Sequence, residues 1–573
     1  MHSFAPGVWP QIADAVFPGQ ERRRRARLNR DSTKTEDASQ VARPRSALYL
    51  PALMAGFLAQ RSMTTRRGAK PATTAIPIEP GLVPNALAWL QVWVIGSVAA
   101  ILMIMMGGVY PLPRALAGAA IAGLFFLTWS WRLARGAGAD ARDLGWLWVW
   151  LAVSGWIGLQ LLPLPREVFE WIGAYPPDLL AQYPELPITR LSPNIAATLG
   201  YWGMFTTYWA AASLVAALPR RQLAVLVGIL VALVFAEALY GFIAHMGRFE
   251  TVLGLWPAPA DHGVVVGTFW NRNHLAGLLA LGWPLGIAYL LFGARMRPVR
   301  VHEVRYLLVL VFSLAMALAL FNSLSRLGTA SALFGLLVFV LLARANRVGR
   351  ASGLERLWLF SAGLVALGLA IAFGLAPLLL RYSAVVTDTG RLEALLPLAH
   401  LPAKTWIAGA GAGGFEDIFK LVQPASLPPT FDYLHNDWVQ FVLEFGVLGT
   451  VPVTVALAVW WRRAGPSQLS RLRAGAAGGI AAIALHSLGD FNLQIPGTAF
   501  AFWLVVGVLC NRALERDAIE LGAARVGNRA NVPAFGSFAG SHEEPVPTSP
   551  LHREGVEDYR RPTGLRLGRP AIR

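Results

Sequence analysis

A chain of 573 residues that is 55% apolar and only 14% charged, with 21 tryptophans and a formal net charge of +17, does not have the composition of a soluble globular protein. Apolar runs of roughly 18 to 25 residues recur along it, each long enough as a helix to cross a hydrocarbon layer about 30 Å thick. Continuous runs such as Leu223 to Met246 exclude an outer-membrane barrel, whose strands alternate over about ten residues, so the expected fold is an all-α polytopic membrane helix bundle.

Residues 1–80 are polar and basic, include the run Arg22 to Arg25, and show no helical period. They are expected to form a disordered cytoplasmic tail rather than a nucleic-acid site. Translation from Met63 would leave most of it out. Residues 81–512 form the expected membrane core, with about twelve spans near 86–108, 115–131, 145–164, 199–217, 222–246, 273–294, 306–322, 327–343, 357–380, 437–461, 474–487 and 496–512. Residues 513–573 read as a second polar cytoplasmic tail. The lone cysteine, Cys510, cannot form an internal disulfide and reads as packing.

Arginine is held back on the cytoplasmic side of a membrane, and alternate loops here differ sharply in it. The segments RLARGAGADARD, LPRR, RMRPVRVHEVR, RANRVGRASGLER and RRAGPSQLSRLR are arginine-dense; the opposite loops, three of them long, are not. Both termini are therefore expected in the cytoplasm, with segments near 165–198, 247–272 and 381–436 outside. The last of these is expected to fold as an external helical loop domain.

A few outer basic residues run against that trend. Arg272 lies in GTFWNRNHLAGLLAL, where Asn271, Arg272, Asn273 and His274 make a polar knot before a span. Arg326 sits in a turn too short to leave the membrane surface, Arg381 closes the ninth span, and Arg391 falls on an amphipathic stretch suited to the interface. His435 precedes the tenth span in YLHNDWVQFVLEFGVLGTV. Polar groups at this depth are costly and tend to face water or one another, so their gathering on one face points to a site for an anion.

A guanidinium offers a planar fork of donors suited to phosphate and pyrophosphate oxygens. Outside a cytoplasmic membrane, the phosphorylated substrate that fits is a glycan carried on a lipid diphosphate. No DxD pair or carboxylate cluster marks the outer loops, so arginines are expected in place of a metal, and no cofactor is implied. His435 is the expected general base, with Asn436 and Asp437 placed to orient its ring; His274 is the competitor. Asp490, Asn492 and Gln494 in GDFNLQIP are candidate contacts for sugar hydroxyls or the acceptor, as are Asn273, His274, Asn436 and Asp437. The Gly-rich run Ala408 to Phe415 lacks the context of a phosphate-binding loop and reads as a flexible loop or helix start. Glu444 lies one turn from Gln440 and is placed to pair with it.

The stretch HNDWVQFVLEFGVLGTV resembles the signature of bacterial O-antigen ligases: His, then Asn, Ser or Gln, nine residues, and G-x-x-G-T-V. GTFWNRNHLAGLLAL and SLGDFNLQIPG are similar to segments of the wider ligase and polymerase superfamily, and Arg391 with Leu395 resembles its R-x-x-x-L element. The resemblance spans about 260 to 500. It implies a GT-C-type, metal-independent glycosyltransferase in the inner membrane, taking a glycan from an undecaprenyl-diphosphate carrier at the periplasmic face. The acceptor would be a lipid A-core sugar for lipopolysaccharide assembly, or a growing glycan in a polymerase. The family's base maps to His435 and its diphosphate-binding arginine to Arg391, with Arg326, Arg272 and Arg381 as further contacts. A secondary transporter, the competing class, would carry related halves and binding residues at the bilayer midplane, which the one-sided polar residues here do not match.

Overall fold

A computed structural model describes residues 85–172, 190–258, 263–292, 302–345, 390–427, 431–466 and 469–514. They all fall within one unit, Met1–Ile519. The expected span at 357–380, the first tail, the second tail from residue 515 on, and Arg381 lie outside the described residues.

In lipid a backbone N–H or C=O has no water to turn to, so the apolar runs close their hydrogen bonds internally as helices. These are α1 (Asn85–Ile104), α2 (Pro111–Ala134), α3 (Ala141–Leu161), the short α4 (Arg166–Ile172), α5 (Ile195–Ala217), α6 (Arg220–Met246), α7 (Arg272–Phe292), α8 (His302–Asn322) and α9 (Arg326–Ala345). Three short helices follow, α10 (Gly390–Leu395), α11 (Ala403–Ala408) and α12 (Phe415–Phe419), then α13 (Asp437–Ala464), α14 (Arg471–His486) and α15 (Pro496–Leu509). Among the described residues nine helices are long and apolar enough to cross a membrane. The chain is an all-α integral membrane protein, and the strands described are the two-residue β1 (Thr251–Val252) and β2 (Trp256–Pro257).

The first span stops four residues short of the expected 108. Met106, Gly107 and Gly108 take left-handed φ of 57°, 72° and 74°, which ends the helix before Pro111 opens the next. A side chain at Gly107 would also meet the Phe269 ring within 2.7 Å.

Helix α14 is only 16 residues long, yet it lies between α7 and α9 at the centre of the bundle. Its Ala- and Gly-rich sequence lets the backbones approach: a Cβ on Gly478 would come within 2.6 Å of Gly335 O on α9, and one on Gly479 within 2.3 Å of Leu281 O on α7. Small residues are the usual means of close helix contact in lipid. Here they carry the end of α14, at His486, beside the starts of α7 and α9.

At the other end of the bundle, Asp140 and Asp143 form a capping box on α3, and both receive Arg512; Asp143 also pairs with Arg132 at 2.7 Å. Arg473, fully buried, donates to Asn511 O, and Asn511 donates to Val215 O and Leu218 O. The ends of α2, α5 and α15 and the starts of α3 and α14 are thus tied together away from the histidines.

Helices α4, α10, α11 and α12 build a small subdomain around Phe169, Leu398, Phe415, Phe419, Phe431 and Leu434. It rests on a break in α13. Gly446 has φ 66° and ψ 170°, a conformation essentially open to glycine alone. The break frees the carbonyls of Leu443 and Glu444, which accept hydrogen bonds from Ala410 N at 2.9 Å and Gly411 N at 3.0 Å. Gln160 locks the joint, donating to Glu444 O and accepting from Ala412 N. The Gly-rich run 408–415 is therefore not a flexible loop but an ordered strap, in which Ala410, Gly411 and Gly413 donate to α13 and Ala412 to Gln160 on α3, and it ends at the start of α12.

Candidate active site

The chain bends into α13 at His435, and the bend is fixed from both sides. Asn436 is the N-cap: its Oδ1 accepts from Val439 N at 3.0 Å, while its Nδ2 donates to Leu488 O at 3.0 Å. Asp437, buried, accepts from Ser487 Oγ at 2.7 Å and Leu493 N at 3.1 Å, and its own N–H donates to Ser487 O. These contacts lace residues 435–437 to the segment 487–493. They also turn Asn436 and Asp437 toward that segment, so the carboxylate that faces the His435 ring is a different one.

That carboxylate is Asp490. His435 Nδ1 lies 3.5 Å from Asp490 Oδ1, and His486 Nε2 lies 3.9 Å from Asp490 Oδ2. The Asp490 side chain is 0% exposed and that of His435 is 20% exposed, so the pair has a closed end at the acid and an open end at the imidazole. Burial works to raise the Asp490 carboxyl, but the His435 imidazole beside its Oδ1 and the neighbouring His274 and His486 outweigh it and hold the group below the usual carboxylate range. At 3.5 Å the carboxylate lies beside Nδ1 without hydrogen-bond geometry; its charge favours the tautomer that carries the proton on Nδ1 and leaves a lone pair on Nε2.

Phe491 fixes the rings around this pair. His435 and His274 both meet it edge-on, at centroid distances of 4.8 and 4.7 Å, and Tyr433 stacks on it at 4.9 Å. His274 arrives from the first turn of α7, where Asn271 accepts from Asn273 N at 2.8 Å and so caps the helix. Asn492 is fully buried against α7, where a Cβ at Gly277 would overlap its amide. Asp490 and Asn492 thus sit inside the protein rather than on a sugar-facing surface; Gln494 is partly exposed.

Among the arginines, Arg272 opens α7 and Arg326 opens α9. Gly328, two residues on from Arg326, lies so close to α14 that a Cβ there would come within 3.2 Å of His486 Cε1. Both helix starts therefore meet at the histidine cluster. Arg391 lies on α10, its side chain outside the described residues. One arginine escapes a sequence reading: Arg114, on the first turn of α2. Burial raises the Tyr433 phenol, and the Arg114 guanidinium opposes it while Asp432 and Glu444 add to it, which places Arg114 within electrostatic reach of the cluster. Glu444 and Gln440 do pair, Nε2 to Oε1 at 2.9 Å, and the other Glu444 oxygen accepts from Gly413 N. Among the described residues no three His, Cys, Asp or Glu side chains are disposed to hold a metal ion.

Comparison with curated proteins gives no match, and neither does comparison with solved structures. Residues 309–454, which run from within α8 through the His435 turn to the broken helix α13, match the model of a family described as O-antigen ligase. That match supports the O-antigen ligase and polymerase superfamily and a ligase- or polymerase-type role in O-antigen assembly.

Proposed function

We propose that the protein transfers a glycan from a polyprenyl-diphosphate carrier to an acceptor hydroxyl at the periplasmic face, as an O-antigen ligase, with His435 as general base. The observation that carries this reading is the buried Asp490 carboxylate beside Nδ1 of a histidine whose ring is partly open. Nε2 of His435 takes the acceptor's proton as its oxygen attacks the anomeric carbon; the bond from that carbon to the diphosphate breaks, and the diphosphate leaves with the electron pair. Arg391, Arg326, Arg272 and Arg381 would stabilise its developing charge without a metal, because each guanidinium brings paired donors to phosphate oxygens. Asp490 acts through His435, as a positioning residue. Asn273 and His274, at the start of α7, and Gln494 remain the groups proposed to meet the sugars or the acceptor.

The test is transfer in vitro from a lipid-diphosphate glycan by the full-length protein in lipid, offering lipid A-core and lipid-linked glycan acceptors in parallel. His435→Ala is expected to lower turnover about 10²–10⁴-fold, the usual contribution of a general base. Full turnover by a folded His435→Ala protein would refute the base assignment, and loss of activity in chelator would refute the metal-free step. Product on the lipid-linked glycan alone would identify a polymerase.

A further inference from the structure

The segment after α6 holds two non-glycine residues in the left-handed region, Arg248 at φ 50° and Leu253 at φ 53°. Glycine or asparagine adopts that backbone at little cost, and a leucine does not. Leu253 opens the three-residue loop of the hairpin formed by β1 and β2, in which Val252 pairs with Trp256 and Leu255 N donates to Val252 O. A solvent-facing turn would be expected to carry polar residues here. Instead Leu253 is 41% and Leu255 69% exposed.

The hairpin does not rise away from the bundle. Leu253 N donates to the Tyr240 hydroxyl at 2.7 Å, and Tyr240 lies six residues before the end of α6. A helix rises 1.5 Å per residue, so the hydrogen bond ties the tip to a residue whose Cα lies about 9 Å before the end of α6. Val252 is buried, while Ile243 and Met246, on the turns of α6 that follow Tyr240, are exposed apolar residues like Leu253 and Leu255 at the tip.

We propose that this hairpin is a membrane-interface anchor: Leu253 and Leu255 enter the acyl region of the leaflet on the histidine side, and Arg248 lies at the level of its phosphates. The occupant is lipid because the exposed leucines are held by a hydrogen bond to Tyr240, within a helix long and apolar enough to span a membrane, whose own last turns expose Ile243 and Met246. A left-handed leucine kept in a turn is accounted for by the same contact, since a polar residue there would be carried into the acyl region. The hairpin leads into the loop that buries Phe269 and presents Arg272 and His274, so it sets the height of that loop relative to the headgroups. This inference rests on the membrane reading alone and stands or falls independently of the transfer chemistry.

The full-length protein with Cys510→Ala, leaving no native cysteine, would carry Leu253→Cys, Leu255→Cys or, as an exposed comparator, Ser426→Cys, each labelled with a nitrobenzoxadiazole fluorophore. In vesicles of phosphatidylethanolamine and phosphatidylglycerol, the hairpin probes are expected to be quenched several-fold more by acyl-chain nitroxide lipid than by aqueous iodide, and the Ser426→Cys probe the reverse. Leu255 lacks the left-handed backbone, so its variant decides the matter if Leu253→Cys does not fold. Hairpin probes quenched by iodide like the comparator would overturn the anchor. Probes shielded from both quenchers would overturn it too, assigning the tip to a protein contact.

Discussion

Asp490 is fully buried, its Oδ1 accepts from Phe491 N at 2.9 Å, and imidazoles flank both of its oxygens, so its charge state is tied to theirs. Asp490→Asn keeps the volume but replaces an ionised acceptor with an amide, and should reduce turnover at least about tenfold while altering the acid limb of the pH–rate profile that reports the base. The sign for stability follows from the lowered carboxyl: relative to an unfolded value of about 3.9, its contribution is complete above about pH 4 and disappears as the pH falls toward the folded value. Acid unfolding of Asp490→Asn in detergent should therefore lose that component. Arg114→Ala is expected to raise KM for the lipid-diphosphate donor with kcat less affected, if its guanidinium serves the same anion as Arg272 and Arg326; unchanged KM would exclude it. The motif marked His435 as a candidate, but the acid beside its ring was not legible. Adjacency favoured Asn436 and Asp437, and the N-cap geometry that starts α13 turns both onto 487–493 instead. The matching carboxylate comes from 55 residues downstream, a distance no local pattern reports.

The same limit holds for elements. Spans were legible because apolar length alone marks a helix in lipid, and the ends differ where glycine or proline acts, as at Gly107, Gly108 and Pro111. The break at Gly446 was not, since glycine is common in membrane helices and nothing local separates a tolerated one from a hinge. Its neighbours decide: a Cβ there would meet Gly409 N at 2.4 Å and Ile407 O at 2.5 Å, in addition to the strain of its backbone. Gly446→Ala should cost about 3 kcal/mol or more, summing a glycine-only conformation with backbone overlap. Thermal unfolding in detergent measures it, and a small change would mean that the strap 408–414 is not docked as described. Gly449, three residues on, packs against Trp156 rather than bending the chain, so the two glycines of one motif serve different ends.

For the whole molecule, the question is which way the bundle faces. The histidine cluster gathers the starts of α7, α9, α13 and α15 and the end of α14, while Arg132, Arg473 and Arg512 gather at the other ends of the same helices and their neighbours. Loop arginines are retained in the cytoplasm, and reversing the bundle would carry the arginine-dense loops across the membrane while leaving the arginine-poor ones behind. The arginine-rich end should therefore be cytoplasmic and the histidines periplasmic, where a lipid-linked glycan would be met. In a Cys510→Ala background, Ser426→Cys on the histidine side and Ala139→Cys on the other are both exposed positions. A membrane-impermeant maleimide added to intact spheroplasts should label the first and reach the second only after permeabilisation. The reverse pattern would place the histidines in the cytoplasm and put the proposed periplasmic donor out of reach of His435, whatever the chemistry of the pair.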